Sequence, residues 1–277
     1  MNAIVIAGIV LSGLGLVLGV ALTIVNKVFY VPVDEKLIEI REALPGANCG
    51  GCGYPGCDAC ADAIFEGVAP VDICPVGGTP LADKLAMIMG VEIKPAQVKL
   101  VARVRCQGSS DKCGNKFEYV DLPDCRAALL VAGGHKSCEY GCLGQGSCER
   151  ACKFDALHID PVKKLPVVDD DKCVACGACV TACPKKLMKL QPVNLPVRVL
   201  CLNFNKGKQV KEACSIGCIG CTLCAKKCKH SAITMINNLP VIHDELCVGC
   251  MECALVCPTK AIHGNFAFAG PEYMAKN

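Results

Sequence analysis

Residues 173–184 read CVACGACVTACP and residues 247–258 read CVGCMECALVCP, so the spacing Cys-x2-Cys-x2-Cys-x3-Cys-Pro occurs twice. A third run, at 218–228, has the same cysteine spacing, with Lys229 in place of the proline. Thiolates at this spacing are the ligands of [4Fe–4S] clusters in bacterial proteins. Because such clusters transfer single electrons, the spacing predicts that the chain carries electrons.

A fourth run is a variant with cysteines at 138, 142, 148 and 152. In two-cluster ferredoxins the last cysteine of each run ligates the cluster of the other run. The four runs pair in chain order, which predicts two tandem ferredoxin-like modules, and we expect the fourth cysteine of each run to begin a helix. The predicted ligand sets are Cys138, Cys142, Cys148 and Cys183; Cys173, Cys176, Cys179 and Cys152; Cys218, Cys221, Cys224 and Cys257; and Cys247, Cys250, Cys253 and Cys228.

Gln145 occupies the second ligand position of the variant run. An amide oxygen is a poor ligand for iron that prefers thiolate. We therefore expect Cys138, four residues before Cys142, to supply the missing sulfur. Cys214 stands at the matching place in the second module, where Cys221 is also present, so one of these two thiols is surplus; we expect it to be Cys214.

An upstream group of cysteines, Cys49-x2-Cys52-x4-Cys57-x16-Cys74, predicts a fifth [4Fe–4S] site. Glycines 46, 50, 51, 53 and 56 suit a loop whose backbone must approach a cluster closely. The stretch from Asp58 to Phe65 has a helical pattern. Cys60 lies inside it and is expected to be a packed free thiol.

Zinc and disulfides are the alternatives for a chain with 26 cysteines in 277 residues. Zinc sites favour paired Cys-x2-Cys units rather than triple runs, and disulfides are rare in reducing compartments. Five clusters take 20 cysteines, and a sixth cluster that uses Cys106, Cys113 and Cys125 stays open as an alternative to structural thiols. The cysteines outside the five sets are Cys60, Cys106, Cys113, Cys125, Cys201 and Cys214.

Residues Ala3 to Asn26 contain no charged side chain and are long enough to span a membrane as one helix. A signal peptide is the competing interpretation, but it would need a basic start and a small-x-small cleavage site. Lys27 follows the span, which places the bulk of the chain on the cytoplasmic side of the cell (inner) membrane by the positive-inside rule.

The predicted architecture is α+β: an N-terminal transmembrane helix, a small [4Fe–4S] domain and two tandem two-cluster ferredoxin-like modules. Strand-like residues occur at 101–104 and a helical pattern at 125–132, both before the first module. The predicted divisions are an anchor (1–26), an N-terminal [4Fe–4S] domain (27–90), an intermediate segment (91–136), module 1 (137–194), module 2 (195–265) and a tail (266–277).

The net charge is only +3, yet lysines are frequent around the later cysteine runs, for example Lys226, Lys227 and Lys229. A basic surface beside a cluster would attract an acidic electron carrier, although a solvated face is the plainer interpretation. Aromatic residues make up 4% of the chain and tryptophan is absent, so we expect no nucleic-acid partner. No nucleotide-binding glycine motif or catalytic triad is present, and we assign no catalytic residue.

The chain resembles the B subunits of Rnf complexes in the order of three features. These are an N-terminal anchor, the motif Cys49-x2-Cys52-x4-Cys57-x16-Cys74, and paired ferredoxin runs. Two modules resemble the form found in anaerobes; Gln145, Lys153 and Lys229 depart from the usual pattern. The resemblance implies a subunit of an ion-translocating oxidoreductase that accepts electrons from soluble ferredoxin and passes them to other membrane and peripheral subunits. The alternative is an iron–sulfur subunit of a hydrogenase, formate dehydrogenase or NADH dehydrogenase.

Overall fold

The computed structural model describes residues 3–29, 34–92 and 98–268. Most of the predicted tail, residues 269–277, lies outside the described residues. The helices are α1 (Ala3–Val28), α2 (Glu35–Ala43), α3 (Cys57–Phe65), α4 (Gly78–Met89), α5 (Cys125–Leu130), α6 (Ser147–Arg150), α7 (Ala178–Ala182), α8 (Lys208–Ala213), α9 (Leu223–Lys227) and α10 (Glu252–Leu255). The strands are β1 (Leu100–Val104), β2 (Leu157–Ile159), β3 (Pro166–Val168), β4 (Met188–Pro192), β5 (Val197–Val199), β6 (Ile233–Ile236), β7 (Leu239–Ile242) and β8 (Ile262–Gly264).

Helix α1 is an apolar helix of 26 residues. At 1.5 Å per residue it is about 39 Å long, and a hydrocarbon core is about 30 Å thick. The stretch Gly8–Val28 has a mean hydropathy of 2.4 and buries none of its residues against the rest of the chain. By length and composition, α1 therefore fits a single membrane span.

The three helices α2, α3 and α4 pack together as the N-terminal domain. Their shared core contains Ile40, Ile64 and Leu85, which are almost completely buried. Asp34 caps α2 by accepting a hydrogen bond from the N–H of Lys36 at 2.9 Å. Cys60 lies in α3, as the helical pattern indicates, and is 1% exposed.

Four separate two-stranded antiparallel sheets build the remainder, with the pairs β1–β4, β2–β3, β5–β8 and β6–β7. Strand β1 belongs to the predicted intermediate segment, yet it pairs with β4, the last strand of the first module. In the second module β5 pairs with β8 in the same way. The intermediate segment therefore supplies the first strand of module 1.

The short helices α6, α7, α9 and α10 each carry the third cysteine of a run as their second residue. The expectation that the fourth cysteine begins a helix is therefore wrong; Cys183 and Cys228 stand at helix C-termini. The physical reason is a left-handed residue just before each helix, which turns the chain between the second and third cysteine. These residues are Gly146, Gly177, Thr222 and Met251.

Candidate iron–sulfur centres

Site II is a cavity of the first module lined by Cys152, Cys173, Cys176 and Cys179. Its void is about 350 Å³ and its other walls are mainly apolar. Two of its sulfurs accept backbone hydrogen bonds at 3.4 Å, from the N–H groups of Ala102 and Ala156. N–H donors to cluster sulfurs help to set the reduction potential.

Site III is the second cavity of this module and has a void of about 360 Å³. Its thiols are those of Cys125, Cys142, Cys148 and Cys183. The sequence predicts Cys138 in this set, but Cys125 lines the cavity with the other three thiols and Cys138 lines a different cavity. Sequence spacing alone could not show this, since Cys125 lies 17 positions before Cys142 in a different element.

The position of Cys125 is fixed by hydrogen bonds at the N-terminus of α5. Asp124 caps the helix by accepting from the N–H groups of Arg126 (2.8 Å) and Ala127 (3.1 Å). The N–H of Cys125 donates to Ser147 Oγ at 2.7 Å, and that hydroxyl donates to Asp124 at 2.9 Å. These hydrogen bonds lower the pKa of Asp124 to about 2, and the bond from the N–H of Ala127 has the largest effect.

Sites IV and V belong to the second module. In site V, a void of about 340 Å³ is lined by Cys228, Cys247, Cys250 and Cys253. In site IV, the thiol of Cys218 interacts electrostatically with those of Cys224 and Cys257, and Cys224 does so with Cys221. Both modules therefore exchange their fourth cysteines, and the ligand assignment itself stays a prediction.

Site I is the predicted set Cys49, Cys52, Cys57 and Cys74 in the N-terminal domain. The thiol of Cys74 interacts with those of Cys52 and Cys57, and Cys60 packs beside the same three. Burial is the main reason that the pKa of Cys60 rises to about 12. Asn48 orders this loop, because its Oδ1 accepts from the N–H of Cys57 at 2.7 Å.

A further cavity, which we call the inter-module cavity, lies between the two modules. It is lined by five cysteines that do not line the cavities of sites II, III and V: Cys106, Cys113, Cys138, Cys201 and Cys214. Its void is about 340 Å³. Cys214, which the sequence suggested as surplus to the second module, is one of the five.

All 26 cysteines are free thiols. Within residues 3–29, 34–92 and 98–268, no three Cys, His, Asp or Glu side chains converge on one point as the ligands of a single metal ion would. In a [4Fe–4S] cluster each thiolate binds a different iron, so the thiolates stand apart around a shared space. Four thiols around one shared cavity, as at sites II, III and V, are the arrangement that a polynuclear cluster needs.

Burial raises the pKa of several of these thiols. The pKa reaches about 12 for Cys148 and Cys253 and about 11 for Cys179 and Cys218, in each case chiefly through desolvation. Without metal these thiols hold their protons at neutral pH. Because metal binds the thiolate, cluster assembly must release protons from these sites.

The sequence regions match known families. Residues 44–76 match a putative Fe–S cluster domain, and residues 137–187 and 217–261 match a 4Fe–4S dicluster domain. The chain is 47% identical over 268 residues to the B subunit of the Na+-translocating ferredoxin:NAD+ oxidoreductase complex of Acetobacterium woodii, an alignment that covers 97% of this chain and 80% of the relative. The chain belongs to the B-subunit family of ion-translocating oxidoreductase (Rnf) complexes.

Two more relatives support this membership. The B subunit of the ion-translocating oxidoreductase complex of Methanosarcina acetivorans is 42% identical, with 95% of this chain and 99% of the relative covered. The B subunit of the proton-translocating ferredoxin:NAD+ oxidoreductase complex of Clostridium ljungdahlii is 40% identical, with 100% and 98% covered. The resemblance drawn from the cysteine runs is thus confirmed over nearly the whole chain.

In this member of the Rnf family, the lysines near the cysteine runs differ in role. Lys185 is tied to the fold, because its ammonium donates to the carbonyl oxygens of Gly133 (2.9 Å) and Glu139. Lys226, Lys227 and Lys229 are exposed around the end of α9, beside Cys228. This second group is therefore available to meet a charged partner.

Proposed function

We propose that this chain is the electron-entry subunit of an ion-translocating ferredoxin:NAD+ oxidoreductase. It would accept electrons from reduced soluble ferredoxin and pass them to the other membrane and peripheral subunits of the complex. Two of the relatives carry ferredoxin and NAD+ in their names, and all three are subunits of ion-translocating complexes. None of these three is named as a subunit of a hydrogenase, formate dehydrogenase or NADH dehydrogenase, the alternative that the sequence leaves open.

Sites I to V fit five [4Fe–4S] clusters, which supply one-electron carriers when bound. The proposed ligands are the four cysteines of each site, with Cys125 rather than Cys138 in site III. The chain's contribution is to hold the thiols around cavities with mainly apolar walls, as at sites II, III and V, and to direct backbone N–H groups at sulfurs. The sequence contains no glycine-rich nucleotide motif, so we place NAD+ reduction on another subunit.

The observation that carries the proposal is the contact between sites I and II. A Cβ at Gly51, in the site I loop, would lie 2.9 Å from the carbonyl oxygen of Cys176 in site II. The ammonium of Lys153 also reaches the Asn48 carbonyl at 3.5 Å. Site I and the first module therefore form neighbouring steps of one electron path.

The membrane orientation is also part of the proposal. Lys27, in the last turn of α1, is the first positive side chain after the apolar stretch and favours the cytoplasmic side. Soluble ferredoxin and a reducing environment are found there. Protease digestion of sealed inside-out and right-side-out vesicles tests the orientation, because residues beyond 34 should be cleaved only in inside-out vesicles.

Stopped-flow mixing tests the electron entry. Full-length protein in detergent is mixed anaerobically with reduced two-cluster ferredoxin, and bleaching of the iron–sulfur absorbance is followed. We expect rapid bleaching whose rate rises with ferredoxin concentration. If dithionite reduces the protein but ferredoxin does not, in the isolated subunit and in the complex alike, the proposed entry role is wrong.

A further inference from the structure

The inter-module cavity has the size and lining of the cluster sites. Its void of about 340 Å³ compares with about 350, 360 and 340 Å³ at sites II, III and V. Five thiols line it. Sites II, III and V each present four thiols around a cavity of similar size, so five thiols around this one indicate a bound group of the same kind.

Four of the five thiols are related by the internal repeat of the two modules. Cys106 follows β1 and Cys201 follows β5, and the preceding residues make equivalent hydrogen bonds: Arg105 N–H to Leu187 O at 2.8 Å, and Leu200 N–H to Ala261 O at 2.9 Å. Cys138 stands four residues before Cys142, and Cys214 stands four residues before Cys218. Each module thus contributes two equivalent thiols.

The same four thiols share a local backbone geometry with the predicted cluster ligands. At Cys142, Cys176, Cys218 and Cys247 the sulfur accepts from the N–H two residues further on. The same contact occurs at Cys106, Cys138, Cys201 and Cys214. Cys113 differs, because its sulfur is hydrogen-bonded to the thiol of Cys214 and also accepts from the N–H of Cys138, and it has no counterpart in the other module.

One polar side chain, Asn203, lines this cavity, and the buried Lys136 lies beside Cys113, one of its lining thiols. Asn203 is 2% exposed, and its Nδ2 donates to Cys138 Sγ at 3.4 Å. Lys136 is 3% exposed, and its ammonium lies 3.5 Å from the Cys113 carbonyl oxygen, a long contact for a buried charge. A buried cation is costly unless an anion is near. An iron–sulfur cluster with four thiolates is such an anion.

The cavity touches a site on each side. The backbone of Cys142, in site III, donates a hydrogen bond to the thiol of Cys106. The N–H of Cys218, in site IV, donates to Cys201 Sγ at 3.3 Å. The cavity therefore lies between the last site of module 1 and the first site of module 2.

We propose that Cys106, Cys138, Cys201 and Cys214 hold a sixth [4Fe–4S] cluster that joins the two modules into one electron path. In each transfer the neighbouring reduced cluster loses one electron and the sixth cluster gains it, passing from the 2+ to the 1+ state. No bond breaks and no proton is transferred. The order of sites along the path is I, II, III, the inter-module cavity, IV and V.

Native mass spectrometry of the anaerobically reconstituted full-length protein, with iron and sulfide analysis, tests the site independently of ferredoxin. We expect about 24 iron atoms per chain, four for each of six clusters. The variants Cys106→Ala and Cys201→Ala should each lose one cluster, about four irons. The matched controls Cys113→Ala, in the same cavity, and Cys60→Ala, outside it, should keep all six.

A wild-type protein with only five clusters, or a Cys113→Ala protein that loses one, would overturn the proposed site. A cysteine variant could lose iron simply because it folds poorly. A second variant, Lys136→Met, therefore tests the site with all the proposed ligands in place. Lys136→Met should keep six clusters and shift one midpoint potential to more negative values in EPR-monitored titration, since reduction adds negative charge near the removed cation. The control Lys163→Met, on the surface, should shift none; six unshifted midpoints in Lys136→Met would count against the proposal.

Discussion

Gly51 lies against the backbone of Cys176, so that a single added Cβ would stand 2.9 Å from the Cys176 carbonyl oxygen and 3.0 Å from its Cα. Real Cβ atoms do not approach backbone so closely, and neither partner is a flexible side-chain end. Glycine at 51 is therefore a requirement of the contact between the N-terminal domain and module 1. This contact is where electrons would cross between sites I and II.

Replacing Gly51 with alanine should separate the N-terminal domain from module 1. We expect Gly51→Ala to keep its iron content, because no ligand changes, while electron transfer between site I and site II slows at least several-fold. Freeze-quench EPR during reduction by ferredoxin measures this step. An unchanged rate together with unchanged iron would show that the contact does not carry the transfer.

We expect Cys125 to be a cluster ligand of module 1. It is needed because Gln145 stands at the position that Cys221 occupies in module 2. Cys125→Ala is expected to lose one cluster, about four irons per chain. The double variant Cys125→Ala/Gln145→Cys should regain it, because the new thiol stands where Cys221 stands in module 2. If Cys125→Ala keeps every cluster, site III is not held as the structure suggests.

Asp124 should stabilise the N-terminus of α5 and the position of Cys125. Removal of an N-cap side chain costs about 1 kcal/mol, so Asp124→Ala should lower the melting temperature and speed cluster loss. Asp171→Asn, an exposed control, should change neither. Equal melting temperatures for Asp124→Ala and wild type would contradict this role.

The stabilisation by Asp124 should depend on pH in a defined window. Its pKa in the folded protein is about 2, lowered from 3.8, so the folded state favours the ionised carboxylate. The contribution is therefore present above about pH 4 and is lost as the pH falls toward 2. Melting curves of wild type and Asp124→Ala should converge across that window, and a constant difference would rule out this carboxylate as the cause.

The exposed lysines 226, 227 and 229 should attract reduced ferredoxin. Reversing their charge with glutamate should raise the apparent KM for ferredoxin and flatten its salt dependence, because long-range attraction is screened by salt. A matched triple reversal at the exposed Lys36, Lys84 and Lys163 controls for net charge. Identical effects of both triples would show that net charge, and not this surface, is responsible.

Helix α1 should anchor the protein without supporting the clusters. Its apolar stretch buries none of its residues, so deletion of residues 1–28 should release the protein into the soluble fraction with its iron content unchanged. Membrane fractionation and iron analysis measure both. Loss of clusters on deletion would mean that α1 has a structural contact beyond the described residues.

Several local features followed from the sequence because they depend on neighbours in the chain. The helix that contains Cys60, the helix at Cys125 and the strand at 101–104 all form at the expected places. The cysteine runs predicted the family correctly, since their spacing is set by the geometry of one cluster. Cys152 lines the cavity of the later run and Cys183 that of the earlier run, while the ligand sets stay a prediction.

The grouping of the isolated cysteines did not follow from the sequence. Cys125 belongs to no run, so its sequence position does not distinguish it from a structural thiol, whereas Cys138 stands four residues before Cys142 and is the predicted fourth ligand. A usable signal was present: Cys106 and Cys201 follow similar Arg-Val strands, and Cys138 and Cys214 precede equivalent runs. Considered together, these two pairs form one set of four.

The sequence alone determined the chemistry of this protein, because thiolates at fixed short spacing can converge on a cluster whatever the surrounding fold is. It also determined the anchor, because a run of apolar residues needs only length and composition to span a membrane. Tertiary structure decided which distant thiols share a cavity: pairing of β1 with β4 and of β5 with β8 places Cys106 and Cys201 at the junction of the modules. Contacts between residues far apart in the chain are set by strand pairing and packing, and no local spacing encodes them.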